Sequence, residues 1–135
     1  MSAFALYAVL EVFLSFDLAS MRLMLLNVED VRDKEVSMLI AVPLNGAGGG
    51  VLMPVLLAGG TAIIPTDNDA ESLLTLLRDY RPGRMFVTPS QLIDLLDAES
   101  VCRSDFRSVS QLTYGSAPLP VARIREAIER FGPIL

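Results

Sequence analysis

Four short apolar runs, each closed by proline or glycine and each followed by a stretch of helical periodicity, constrain this chain more than any other feature. Val36-Ser37-Met38-Leu39-Ile40-Ala41-Val42 stops at Pro43, and Thr61-Ala62-Ile63-Ile64 stops at Pro65. Arg84-Met85-Phe86-Val87 stops at Thr88-Pro89, and Val109 to Tyr114 stops at Gly115-Ser116-Ala117-Pro118. The first run is nearly continuous in apolar residues and reads as a central strand of a covered parallel sheet; the other three read as further strands. Strands that alternate with helices predict an α/β domain built on a parallel sheet. In such sheets ligands bind outside the carboxyl ends of the strands. Those ends fall at residues 43–50, 65–69, 88–90 and 114–118.

The connecting segments carry their own signals. Gly46-Ala47-Gly48-Gly49-Gly50 reads as a flexible turn, and Val51 to Ala58 as a short apolar helix with Pro54 near its first turn. Asn68 and Glu71 have capping-box spacing, and Ala70, Leu73, Leu74, Leu77 and Tyr80 then form one apolar face. Arg81-Pro82-Gly83 ends that helix. Thr88, Pro89 and Gln91 supply an N-cap, a proline at the first helical position and a glutamine at the third. From Pro120 to Phe131 a last helix buries Val121, Ile124, Ile128 and Phe131, with Glu126 and Arg130 spaced to pair and Gly132 as C-cap. Pro133-Ile134-Leu135 reads as the start of a further strand.

Residues 1–35 read as a helical lead-in to the βα repeats of residues 36–135. Ala3, Leu6, Tyr7, Leu10, Phe13 and Leu14 lie at helical spacing. The apolar run from Ala3 to Phe16 is shorter than the ~20 residues a transmembrane helix needs and lacks the flanks of a secretory signal, so no transmembrane segment is expected.

Composition removes whole classes of function. The 135 residues contain no histidine, which excludes histidine triads, histidine metal sites and histidine general bases. Net charge is -5, without a basic run, so a nucleic-acid partner is disfavoured. The one cysteine, Cys102, cannot form an internal disulfide and fits a reducing, cytoplasmic compartment. Hydrophobic residues make up 52%, above the roughly 45–50% usual for soluble domains even with glycine counted. Such an excess suits doubly covered strands or surfaces meant for neighbours.

The glycine run fails G-x-G-x-x-G because Val51 stands at the last position, and no Lys-Ser/Thr pair follows to make a P-loop. Asp67, Asp69 and Glu71 fail an EF-hand because Ser72 and Arg78 stand where glycine and glutamate are needed. They read as acids at a helix N-terminus, and no metal site is expected. Tyr114-Gly115-Ser116-Ala117-Pro118 is more specific. Small residues at a strand end let a flat ring lie against exposed backbone, although every parallel strand needs some bend there.

With these segments in order, the chain resembles the adenylate-forming superfamily of AMP-forming acyl-CoA synthetases. Pro43-Leu44-Asn45-Gly46-Ala47-Gly48 is similar to the family's P-L-F-H-x-x-G stretch. Leu56-Leu57-Ala58-Gly59-Gly60-Thr61 resembles its helix-to-strand join, and Phe86-Val87-Thr88-Pro89-Ser90 its strand and P-x-x-L helix start. Tyr114-Gly115-Ser116-Ala117-Pro118-Leu119-Pro120 matches its G-(G/A/S)-A-P-L segment, and Arg130-Phe131-Gly132 the end of the next helix. The subgroup it resembles most is the fatty-acid-CoA ligases, as an internal fragment of their large N-terminal domain.

The resemblance implies ATP-dependent formation of an acyl-adenylate and pyrophosphate, followed by displacement of AMP by coenzyme A. ATP or AMP, CoA and Mg are thus implied cofactors, and a fatty acid or other carboxylate the substrate. It places Gly115, Ser116, Ala117 and Pro118 beside the adenine, and Thr88, Pro89 and Tyr114 around the acyl group. Asn45 stands where the family commonly has histidine. No residue here matches a catalytic one: the Ser/Thr/Gly-rich loop with its lysine, the Y-G-x-T-E segment and the C-terminal lysine are not among these 135 residues. Three readings stay open, namely a truncated ligase inactive alone, a subunit that docks with a complementing ligase chain, and a non-enzymatic nucleotide- or acyl-binding module.

Overall fold

The computed structural model describes residues 36–135, so the lead-in assigned to residues 1–35 lies outside the described residues. Four strands alternate with four helices: β1 (Ser37–Ile40), α1 (Ala47–Leu57), β2 (Thr61–Ile63), α2 (Ala70–Tyr80), β3 (Arg84–Val87), α3 (Pro89–Asp97), β4 (Gln111–Tyr114) and α4 (Val121–Phe131). A 3-10 turn over Arg103–Phe106 precedes β4. The sheet order is β2-β1-β3-β4 and every pairing is parallel, as the alternation predicts.

Side chains leave the sheet in two directions and build two cores. Leu39, Ala41, Ile63, Met85, Val87 and Leu112 face α2, α3 and α4. Met38, Ile40, Val42 and Phe86 face Val55 of α1. Leu39 and Met85 are fully buried, and each such side chain contributes roughly 1.5–3 kcal/mol on leaving water. Among the described residues only α1 covers the second face, and Gln111 and Thr113 of β4 are exposed, as are Met53, Leu56 and Leu57 of α1. On the free edge of β4, Leu112 N donates to Ile134 O at 2.6 Å, consistent with the strand start read at Pro133–Leu135.

The glycine run departs from its expected turn: Ala47 to Gly50 are the first residues of α1, and Pro54 sits inside the helix, not near its first turn. The close packing expected of those glycines is present. A Cβ on Gly48 would lie 2.7 Å from the Val42 carbonyl oxygen, and one on Gly49 2.4 Å from that of Leu44. Glycine propensity disfavours a helix here, but the helix must start against the backbone of the preceding turn, and only glycine fits. Pro54 and Val55 are buried, so tertiary packing outweighs the missing N–H.

Several side-chain readings are corrected, among them Val121 and Ile128 of α4, which are exposed and not buried. The cap of α2 is Asp69, not Asn68: its carboxylate accepts from Ser72 N at 3.0 Å and from the Ser72 hydroxyl at 2.7 Å. Tyr80 is 62% exposed, off the buried face. Arg130 leaves Glu126 and donates to the Leu96 and Ala98 carbonyls at the end of α3, where a cation complements the helix dipole. Glu126 instead pairs with Arg123 at 2.9 Å, which also bridges to Asp97 at 2.9 Å.

The start of α3 follows the sequence reading and adds a long-range bond. Thr88 Oγ1 accepts from Gln91 N, and Gln91 Oε1 accepts from Thr88 N at 2.8 Å, completing the capping box. Gln91 is buried, and its Nε2 donates to the Ala41 carbonyl at 2.7 Å. This side chain ties the carboxyl end of β1 to that of β3. Truncation strands a buried carbonyl as well as the cap, whereas losing the threonine removes the cap alone. Gln91→Ala should therefore lower the urea-unfolding free energy by about 2–3 kcal/mol, and Thr88→Ala by about 1 kcal/mol. Equal effects would mean that the Ala41 bond contributes nothing.

A second tie joins α2 to the 3-10 turn. Asp105 accepts from Arg78 Nε and Nη2, both at 3.1 Å, and from Cys102 N at 2.9 Å. The Arg78 guanidinium chiefly, with the Cys102 amide, holds the Asp105 carboxyl below its ordinary value against the opposing effect of burial. A depressed folded pKa stabilises the fold fully above the unfolded value of about 3.9, and that stability is lost as pH falls through the folded value. The stability gap between wild type and Asp105→Asn should be constant from about pH 7 to 5 and shrink below about pH 4. A gap independent of pH would contradict this pairing.

Candidate functional site

Because all four strands run the same way, their carboxyl ends lie on one rim of the sheet. Register fixes the alignment: Ile40 pairs with Phe86, and Val87 with Tyr114. One step further, Ala41 N donates to Phe86 O at 2.9 Å and Gly115 N to Val87 O at 3.3 Å. The bends at Asn45, Thr88 and Gly115 therefore leave the sheet from the same side. Strand order reverses between β1 and β3, the switch point at which doubly wound sheets open a crevice. Gln91 spans that gap, which leaves the rim over β3 and β4 as the accessible part.

Each residue singled out from the sequence has a definite setting. Asn45 is exposed in the turn where Gly46 N and Gly48 N both reach the Pro43 carbonyl, each at 3.3 Å. Thr88 is half-buried and engaged in its cap, and Pro89 is buried directly behind it. Tyr114 is half-buried and packs against the larger core. Gly115 is half-buried, whereas Ser116, Ala117 and Pro118 are exposed. Leu119 is buried and anchors the far end of the loop.

Two features explain why small residues stand here. A Cβ on Gly115 would lie 3.2 Å from Phe86 Cε2, so the glycine backbone rests on the phenylalanine ring. Ser116 has φ +78°, a left-handed conformation that non-glycine residues rarely adopt and that concentrates at functional bends. Together they present a short length of bare backbone above an aromatic floor. Phe86 was not among the residues marked from the sequence, and its role is visible only once β3 and β4 pair.

The electrostatics limit what this rim can do. The chain's single lysine is Lys34, outside the described residues, so the rim has no ammonium group of its own. Among the described residues no three His, Cys, Asp or Glu side chains come together to hold a metal ion. Asp69, near the end of β2, is committed to Ser72, whose hydroxyl and N–H hold its carboxyl below the ordinary value. The donors on offer among the described residues are backbone N–H groups, the Asn45 amide and the hydroxyls of Ser116 and Tyr114. Such a surface can bind and orient a flat ligand.

Comparisons with known proteins agree with this geometry. The profile of the family described as AMP-binding enzyme matches residues 14–135. A medium/long-chain-fatty-acid–CoA ligase, FadD8 of Mycobacterium tuberculosis, is 32% identical over 96 residues, which is 71% of this chain and 17% of that protein. The amide bond synthetase McbA of Marinactinospora thermotolerans superposes with a TM-score of 0.70 at 29% identity, over 75% of this chain and 21% of that one. MatB of Rhodopseudomonas palustris, solved with ATP bound, superposes with a TM-score of 0.73 at 24% identity, over 87% of this chain and 23% of that one, and shows the shared fold. The chain thus spans about a fifth of the length of these relatives. A parallel sheet in this order, its small-residue bend after β4 and a match along residues 14–135 place the chain in the AMP-binding enzyme family.

Proposed function

We propose that this chain supplies the adenine-facing and acyl-facing rim of an AMP-forming fatty-acid–CoA ligase, acting as a binding element and not as the source of catalytic groups. The observation that carries the reading is the common rim: the bends at Asn45, Thr88 and Gly115 follow the carboxyl ends of three parallel strands. The 32% identity to a protein named a medium/long-chain-fatty-acid–CoA ligase supports the choice of a fatty acid as the carboxylate.

In that reaction the carboxylate oxygen attacks the α-phosphorus of ATP, the bond to the β-phosphate oxygen breaks, and pyrophosphate leaves. The thiol of coenzyme A then adds to the acyl carbon and AMP departs. Gly115 to Pro118 would lie along the adenine: the bare backbone over Phe86 fits a flat ring that a Cβ at residue 115 would lift away. Asn45, Thr88, Pro89 and Tyr114 would border the acyl group. Asn45 donates hydrogen bonds to a carboxylate but exchanges no proton, so it orients without acid–base chemistry. Among the described residues no cluster of acidic side chains fits Mg, and no step is assigned through Mg or CoA. The exposed, unpaired Cys102 supports a reducing, cytoplasmic setting.

Adenylate formation needs charge stabilisation worth about 3–4 kcal/mol per donor, and the rim holds no lysine or arginine from this sequence's own bends. The chain alone should therefore show no ATP–pyrophosphate exchange with a panel of fatty acids, while binding AMP and a non-hydrolysable acyl-adenylate in a calorimetric titration. Gly115→Val should weaken that binding about tenfold, the equivalent of one lost close contact surface of roughly 1.4 kcal/mol. Addition of a separately expressed chain carrying the lysine loop should restore exchange if the protein works by complementation. Failure of both ligands to bind at millimolar concentration would remove the proposal.

A further inference from the structure

A second hollow lies on the opposite rim, at the amino ends of β3 and β4, independent of the ligase reading. Its volume is about 470 Å³, and Arg78, Arg81, Ser104, Asp105, Arg107 and Ser108 line it. Three guanidinium groups meet one carboxylate there. Asp105 is fully engaged by Arg78 and by Cys102 N, so its charge is locally neutralised. Arg78 also reaches the Ser100 carbonyl at 3.0 Å. Among the described residues Arg81 and Arg107 make no ion pair and no side-chain hydrogen bond. The hollow therefore carries two uncompensated positive charges on a chain whose net charge is -5.

Two independent features point to a ligand. The hydroxyl of Ser108 lines the same hollow, is occluded from solvent and has no hydrogen-bond partner. Buried hydroxyls are nearly always satisfied, so an orphan marks a place where something else supplies the acceptor. Arg81 adopts φ +47° and ψ +55° as the C-cap of α2, a left-handed position that favours glycine. Glycine would serve the turn; arginine there adds strain and a positive charge at the mouth of the hollow.

We infer that this hollow is a binding site for a phosphate-bearing small molecule, with the exposed Arg81 and Arg107 holding the dianionic phosphoryl group. Guanidinium pairs recognise phosphate through parallel N–H donors, which is the use for which arginine is favoured over lysine. The volume lies within the range of ligand pockets, and exceeds what a bare phosphate fills. No residue of the carboxyl rim takes part.

The test uses inorganic phosphate as probe, with the full chain in phosphate-free buffer at fixed ionic strength maintained with chloride. Binding is read by calorimetry and by the rise in Tm with added phosphate. Wild type should bind with a Kd on the order of millimolar, and its Tm should rise with phosphate concentration. Arg81→Gly and Arg107→Gln should each weaken binding about tenfold, and both should abolish the phosphate-dependent rise. Arg81→Gly also relieves the left-handed strain, so its own Tm without phosphate should equal or exceed wild type, which separates lost binding from lost folding. Arg125→Gln, on the exposed face of α4, serves as control and should bind as wild type does. Unchanged affinity in both pocket variants, or an equal loss in Arg125→Gln, would overturn the site and leave only general attraction of anions to surface charge.

Discussion

The parallel register of β1 against β3 is the constraint from which the remaining geometry follows. Among the described residues these two strands are the ones with strand neighbours on both edges, and their side chains are buried toward both cores. A slip of one residue would exchange Leu39 and Met85 with Met38, Phe86 and their neighbours, driving every side chain to the wrong face. Register is therefore held by two cores at once, and Gln91 adds a third restraint by joining Ala41 to the cap of α3. Once β1 and β3 are aligned, the positions of the bends after them are no longer free. The accessible rim is a consequence of strand direction before it is a consequence of any residue on it.

Local chemistry made much of the fold legible. Thr88, Pro89 and Gln91 specify a helix start through bonds spanning three residues, and the structure contains them. The four strand-helix alternations were readable because each apolar run is cut by proline or glycine within a few residues. What escaped the sequence acts over longer distances. Gln91 meets Ala41 across 50 positions, and Arg130 meets Leu96 across 34, so nothing near either residue announces its partner. The glycine run misled for a related reason: Gly48 is chosen by the carbonyls of Val42 and Pro43, a requirement stronger than its low helix propensity.

The position of the rim was legible from the strand-helix alternation, its surroundings less so. Gly115 to Pro118 could be marked from their small side chains, but the ring beneath them belongs to Phe86, whose place at the rim depends on β3–β4 pairing. Ser116 gives no sign in its identity that it adopts φ +78°. Residues that touch a ligand through backbone leave faint traces in sequence, because the backbone is common to all residues and only the exclusion of larger side chains can be seen.

Charge divides the two rims. The carboxyl rim offers backbone, an amide, hydroxyls and an aromatic floor. The amino rim holds three arginines in one hollow. Clustering them there has a physical logic in an acidic chain. At the amino ends the 3-10 turn supplies Asp105 to order Arg78, and Arg81 and Arg107 are exposed to water. The two rims thus differ in kind: small residues over an aromatic ring at one, arginines at the other.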